Sequence, residues 1–415
     1  MPAEVTGRIE FWYEPTQEWV ELDGSRVPLP LRITMGRSAA AAQPDPPAMQ
    51  FSWLGPYLPM TFGTPVRFIA EVAGEAGAEG GETRWVDDTK DWDDSASFWG
   101  YATGGGPGHV RFVGEVSTMR AIEDGGEVVE WEVLALGTIA ADGRKHIRTI
   151  RGVESEVDRV NAYAALAGLN INVVGSTALS LRADETNRSA IGAIHELCAS
   201  TGALFWQGRD GALWYGLGDH RQQNAEWRIP DNAILDGVVW ESVLDGVINE
   251  LVITYGDAES PTQQTYRNGS SIDLWGTRAV SIDTLLADEV EANTLAFLIF
   301  SRRFEPFWLL SDIVVPVEEG DPASATAVNR MHVGDGVIMG IPTAPGEVGT
   351  VPDLWTVEGW VEEWPEGGGQ TFQIAVTDRV KWGARALRDW QANAGHPWAF
   401  WINYSWLQAL IIDEP

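Results

Sequence analysis

Five aspartates crowd one short stretch of this chain. Asp87, Asp88, Asp91, Asp93 and Asp94 fall within ten residues that also hold Trp85 and Trp92. Close carboxylates on a loop can supply the oxygen ligands of Ca²⁺, which makes Asp87, Asp88, Asp91 and Asp93 candidate calcium ligands. The EF-hand pattern is not met, because the glycine of its sharp turn is missing, and the leading reading is a solvated acidic loop with no cofactor. His195-Glu196 starts a zinc-helix motif, but Ala199 stands where the second histidine belongs. Gly104–Gly108 is not followed by Lys and Ser or Thr, so it is no phosphate-binding loop. There is no Gly-x-Ser-x-Gly nucleophile elbow. Glu358 and Glu362 flank Trp360, a carboxylate pair of the kind that cleaves glycosides. Their alternation instead reads as one face of a strand, and nothing around them singles them out among 60 acidic residues. The one cysteine, Cys198, allows neither an intrachain disulfide nor a CxxC motif. These failures point away from an enzyme.

The elements that would position such groups are mostly strands. Alternating polar and apolar residues predict strands over 6–14, 18–22, 29–37, 49–54, 65–73, 110–116 and 128–136. Residues 74–108 interrupt them with Gly/Glu-rich and Asp/Trp-rich sequence, read as a surface insertion, since the strand pattern resumes at once after it. Next comes a connector with two helices. Ser155-Glu156-Val157-Asp158 is a capping box, opening a helix that carries Val157, Val160, Ala164 and Ala167 on one face and stops at Gly168. A second helix is expected from Asn187 to Thr201, with Ala190, Ile191, Ile194, Leu197 and Cys198 as its buried stripe and Gly202 as its stop. Residues 203–207 and 212–215 flank Gly208-Arg209-Asp210-Gly211 as a β-hairpin. A third helix is expected over 283–303, halted before Pro306. A second β block holds predicted strands at 247–255, 309–317, 332–341, 354–363 and 371–377. The resulting division is 1–136, 137–245, 246–380 and a tail, 381–415.

At 415 residues the chain is too long for one ordinary core. Its net charge of −32 repels phosphates and argues against a DNA- or RNA-binding protein. No run approaches the roughly 18 apolar residues of a membrane helix. The segment from Met1 to Arg8 has no basic-plus-apolar signal, so synthesis in the cytoplasm is expected. Tryptophan, with 21 residues, equals tyrosine (8) and phenylalanine (13) combined. Such rings favour protein interfaces and sugar stacking alike. Trp92 and Trp99 in the insertion, and Trp390, Trp398, Trp401 and Trp406 in the tail, are the candidate partner contacts. The tail is too apolar to float free and should dock on its own chain or on a partner.

In this order of parts the chain resembles the minor tail protein, or baseplate hub, of long-tailed phages (siphophages), above all those of actinobacteria. The stretches that carry the resemblance are Leu31-Arg32-Ile33-Thr34-Met35-Gly36-Arg37 before a Pro-rich loop, Phe62-Gly63-Thr64-Pro65-Val66-Arg67-Phe68, and Val110-Arg111-Phe112-Val113-Gly114-Glu115-Val116. Residues 203–215, 247–255, 354–362 and 370–378 extend it, so that it covers about residues 6–380. The insertion and the Trp-rich tail lie outside the pattern.

The resemblance implies a mainly β fold with α+β connectors, in which two β-barrel-like domains flank a small helix-containing domain. It implies a homotrimer whose paired barrels make a ring with pseudo-sixfold symmetry at the tail tip of the virion. The ring would contact the distal tail protein, the tape-measure protein and the downstream tip or receptor-binding proteins. DNA would pass through it without specific binding, past an acidic lumen. The alternative is a carbohydrate-binding or glycan-cleaving tail protein, acting on the host envelope through Trp92, Trp99 and paired acids.

Overall fold

The computed structural model describes residues 6–36, 44–71, 109–176, 178–218, 225–229, 234, 239–244, 246–304, 306–317, 328, 331–339, 354–364 and 370–378. The first block contains β1 (Thr6–Tyr13), β2 (Glu18–Glu21), β3 (Leu31–Gly36), β4 (Asp45–Leu54), β5 (Pro65–Glu71), β6 (His109–Asp124) and β7 (Glu127–Gly137). Alternation explains β4, where Met49, Phe51 and Trp53 are buried in turn. The β6–β7 hairpin turns at Gly125 and Gly126, both at positive φ (61° and 90°), which glycine adopts without a steric cost.

The connector runs α1 (Thr138–Asp142), β8 (His146–Arg151), β9 (Glu154–Ser155), α2 (Glu156–Ala167), β10 (Ile171–Val174), β11 (Ser180–Leu181), β12 (Asp184–Ser189), α3 (Ala190–Thr201), β13 (Leu204–Gln207) and β14 (Leu213–Gly216). The capping box operates at α2: Ser155 Oγ accepts from the Asp158 N–H at 3.1 Å, and Gly168 ends the helix in the left-handed region. α3 starts at Ala190 rather than at the expected Asn187. Ser189 caps it, and the residues before it pair with β8 as β12. The expected hairpin forms, with β13 antiparallel to β14.

The remainder contains β15 (Ala225–Ile229), β16 (Val239–Val243), β17 (Glu250–Tyr255), β18 (Thr262–Arg267), α4 (Gly269–Trp275), β19 (Ala279–Asp283), α5 (Glu289–Arg303), β20 (Phe307–Val317), β21 (Gly336–Met339), β22 (Leu354–Trp364) and β23 (Gln370–Asp378). The third helix begins six positions later than expected, because Asp288 caps α5, while β19 runs to Asp283 and Leu286 bridges Leu181.

Thirteen strands join in one sheet, ordered β16-β20-β23-β22-β3-β4-β7-β6-β5-β1-β2, with β21 bridging β22 and β15. The two β blocks therefore share an edge. Residues Gly359–Trp364 of β22 run antiparallel to Gly36–Leu31 of β3. Two separate barrels are the expectation from the resemblance; among the described residues neither block closes on itself. The edges that would have closed each block are taken up by the junction between them or left at the ends of an open path. The blocks also share one core, in which Ile33, Met49, Phe68 and Phe112 pack with Trp360, Trp364, Phe372 and Ile374.

A second core lies under the connector. It takes Val160, Tyr163, Leu197 and Phe205 from the connector, and Leu251, Ile253, Leu286, Leu295 and Ala296 from beyond it. The strand expected to open the second β block, β17, thus packs elsewhere. It pairs with β18 and β19 in a three-stranded sheet of its own. Among the described residues no helix is long and apolar enough to cross a membrane.

Candidate assembly interface

The large sheet contains one five-strand pattern twice. The first copy is β3-β4-β7-β6-β5 and the second is β16-β20-β23-β22-β21. Every neighbouring pair in both copies is antiparallel. The copies agree in finer detail. β6 shifts register against β7 between Val116 and Thr118, and β22 shifts against β23 between Val357 and Gly359. The turn that enters the fifth strand is the same too. Gly63 donates to Val116 O at 2.8 Å and Val116 donates to Thr64 O at 3.0 Å. In the second copy Gly334 donates to Val357 O at 2.8 Å, and Val357 to Asp335 O at 2.9 Å.

Both turns are held by a side chain that accepts from the backbone three residues earlier. Thr64 Oγ1 accepts from the Thr61 N–H at 3.0 Å, and Asp335 Oδ2 from the His332 N–H at 2.7 Å. Gly63 and Gly334 both sit at positive φ, 77° and 91°. Met60 and Met331 are buried before the turn, Val66 and Val337 after it. The signal is present in the sequence as Met60-x-x-Gly63-x-x-Val66 and Met331-x-x-Gly334-x-x-Val337. Strand alternation passes over it, because the two copies share few side chains elsewhere.

The copies meet where β22 pairs with β3. Gly36 stands opposite Gly359, and a Cβ at Gly36 would meet Glu358 O at 2.5 Å, so only glycine permits the approach. Behind this seam Arg111 of β6 donates Nε and Nη2 to Glu362 of β22 at 3.0 and 2.8 Å, both side chains fully buried. Glu362 also accepts from Trp364 Nε1 at 3.0 Å and from Gln370 Nε2 at 2.7 Å. Arg209, from the connector hairpin, lies over the Trp360 ring at 4.3 Å and donates to Val328 O at 2.6 Å. Burial, then the like charge of Arg111, push its pKa well down.

This geometry decides several sequence candidates. Glu358 and Glu362 are both buried on β22, and Glu362 is held by an arginine, an indole and an amide, which suits a structural ion pair. His195 is partly buried on α3 beside Phe205, its pKa lowered by burial against a smaller raising effect of Asp45. Cys198 is buried, and its thiol is pushed well above its ordinary value, first by burial and then by Glu156. Among the described residues no group of three or more His, Cys, Asp or Glu is placed to hold a metal. Asp87, Asp88, Asp91, Asp93, Asp94, Trp92, Trp99, Trp390, Trp398, Trp401 and Trp406 lie outside the described residues.

No protein-family model matches the chain, and no curated protein matches its sequence. Solved structures do match its fold. A tail protein from Neisseria meningitidis MC58 superposes with a TM-score of 0.56 at 10% identity, over 91% of this chain and 97% of the other. The 43 kDa tail protein of prophage MuSo2 from Shewanella oneidensis gives 0.57 at 10% identity, over 89% and 98%. This chain has the fold of tail proteins. The likeness spans both β blocks and the connector, nearly end to end in each partner. At this identity it speaks for the arrangement of strands and helices alone.

Proposed function

We propose that the chain is a structural component of a phage-type tail, and that three copies form a hub ring with pseudo-sixfold symmetry at the tail tip. The observation that carries the reading is the repeated five-strand pattern, with its two copies joined edge to edge inside one chain. A chain holding two equivalent modules supplies six when three copies close a ring, which matches a sixfold tube on one side to a threefold tip on the other. The fold likeness to two tail proteins supports the tail role.

In this reading the ring contacts the distal tail protein, the tape-measure protein and downstream tip proteins. The net charge of −32 lets DNA pass without being trapped. The chain's work is mechanical and no catalytic step is assigned to it.

The test is the mass and shape of the purified protein across a wide concentration range. Native mass spectrometry is expected to find a trimer, and negative-stain averages a ring with six lobes. A protein that stays monomeric at every concentration, and that labelled antibodies fail to find at the tip of isolated tails, overturns the proposal.

A further inference from the structure

The repeat assigns a partner to an edge that the described residues leave open. β22 uses its segment 359–364 to pair with β3. The register shifts align this segment with 118–123 of β6, since Gly359 faces Ala375 as Thr118 faces Leu134. Among the described residues no strand pairs with that part of β6 on the side away from β7. Thr118, Arg120, Ala121 and Glu123 are exposed there, and Met119 and Ile122 only half-buried. In the second module Trp360, Glu362 and Trp364 are buried.

The complementary edge is equally well defined. Ile33 of β3 faces Met49, which faces Ala135; Trp240 of β16 faces Leu310, which faces Val376. β16 is therefore the second module's β3. It stands at the end of the sheet, bonded to β20 on one side and, among the described residues, to no strand on the other.

We infer that β6 of one protomer pairs antiparallel with β16 of the next, in the register that β22 and β3 already show within the chain. This rests on the ring reading above and gives it its contact. Transferring that register sets Thr118 opposite Val243, Met119 opposite Ser242, Arg120 opposite Glu241, Ala121 opposite Trp240 and Ile122 opposite Val239. The partner is a second copy of this chain, and the bonds are backbone ladder bonds, which complete edges otherwise open to unwanted pairing. Arg120, which pairs with Glu132 of β7 at 3.1 Å in its own chain, stands opposite a second acidic position in this register, as Arg32 meets Glu363 at 3.6 Å across the internal seam. The edge and its complement lie on different modules, so the contact is heterologous and must close as a ring or grow as a filament.

Cysteine pairs read the register directly. Opposed residues on antiparallel strands bring their Cβ atoms to about 4.5–5.5 Å, within reach of a short thiol cross-linker, whereas a slip of one residue puts the two on opposite faces. The doubly substituted chain Met119→Cys, Ser242→Cys, treated with a short bis-thiol reagent, is expected to give covalent species that stop at three chains. Met119→Cys with Glu241→Cys is expected to give at least about tenfold less. Native Cys198 is buried and contributes little background. A non-covalent trimer by native mass that cross-links in neither pair, or better in the slipped pair, overturns the register and leaves the ring standing. A covalent ladder running past three chains keeps the strand pairing and overturns the ring. A monomer that never cross-links overturns both. As an independent check, Glu241→Arg, which leaves the internal Arg120–Glu132 pair intact, is expected to weaken trimer formation by about fivefold per interface, since like charges then face each other. Adding Arg120→Glu is expected to restore it at least in part; failure of that rescue in a folded protein counts against the register.

Discussion

The Arg111 guanidinium donates two hydrogen bonds to the Glu362 carboxylate, at 3.0 and 2.8 Å, with neither side chain reaching solvent. The pair spans the seam between the two β blocks, so it reports on whether they are docked. Removing one partner of such a pair strands the other charge in the core. Glu362→Gln or Arg111→Met alone is expected to cost about 3–5 kcal/mol. The double variant Arg111→Met, Glu362→Gln is expected to cost clearly less than the two single costs added. Urea midpoints of the four proteins check this. Additive single effects would show that the two side chains are not coupled.

The repeated turns give a second expectation. Gly63 and Gly334 hold left-handed backbone, and no atom lies near a Cβ added at Gly63. Gly63→Ala is therefore a backbone effect alone and is expected to cost about 1–2 kcal/mol. Gly334→Ala should cost at least as much. A neutral Gly63→Ala variant in thermal denaturation would argue that the turn is not held as described.

Two histidines set a pH dependence. Burial lowers the pKa of His195, and of His332, below the ordinary 6.5. For His332 the attraction of Asp335 and Asp210 works against burial, and the repulsion of Arg209 with it. Both residues bind fewer protons folded than unfolded, so their stabilising share is full above 6.5 and is lost as pH falls through the folded values. The urea midpoint is expected to drop between about pH 7 and pH 5, and to drop less in a His195→Gln, His332→Gln chain. An unchanged slope in that chain would assign the effect to carboxylates.

Cys198 offers a reporter of the second core. A thiolate is the reactive form, and burial keeps this thiol protonated. Ellman's reagent is expected to find no accessible thiol in the native protein and one per chain in denaturant. Rapid labelling of the native protein would place α3 outside a packed core.

Local order is legible in the sequence. Ser155 and Gly168 bracket α2 because capping and left-handed termination involve only neighbours along the chain. Most strands of both blocks follow from alternation, as Met49, Phe51 and Trp53 show the buried face of β4 directly, but β15 and β16 are missed by it. Expected boundaries miss where a strand runs directly into a helix, at β12–α3, or ends a few residues before one, at β19–α5. Ser189 and Asp288 are the caps there, and a cap outweighs the apolar pattern around it.

The site is less legible. Glu362 is one of many carboxylates in the sequence and nothing near Trp360 singles it out; its partner Arg111 lies in the other β block, and no spacing rule connects them. The repeat is written in two Met-x-x-Gly-x-x-Val stretches, yet two such short matches carry little weight alone. Its meaning lies in the identical backbone bonds that Gly63 and Gly334 make.

The acidic charge, the lack of familiar catalytic motifs, the helix caps and the inward face of most strands all follow from the order of residues. That β22 lies against β3, that β17 belongs to the connector's core, and that β6 and β16 present open edges among the described residues follow only from the folded arrangement. The reason is physical. Side-chain periodicity records which face of a strand is buried, but the bonds that join strand to strand come from the backbone, which is the same at nearly every residue.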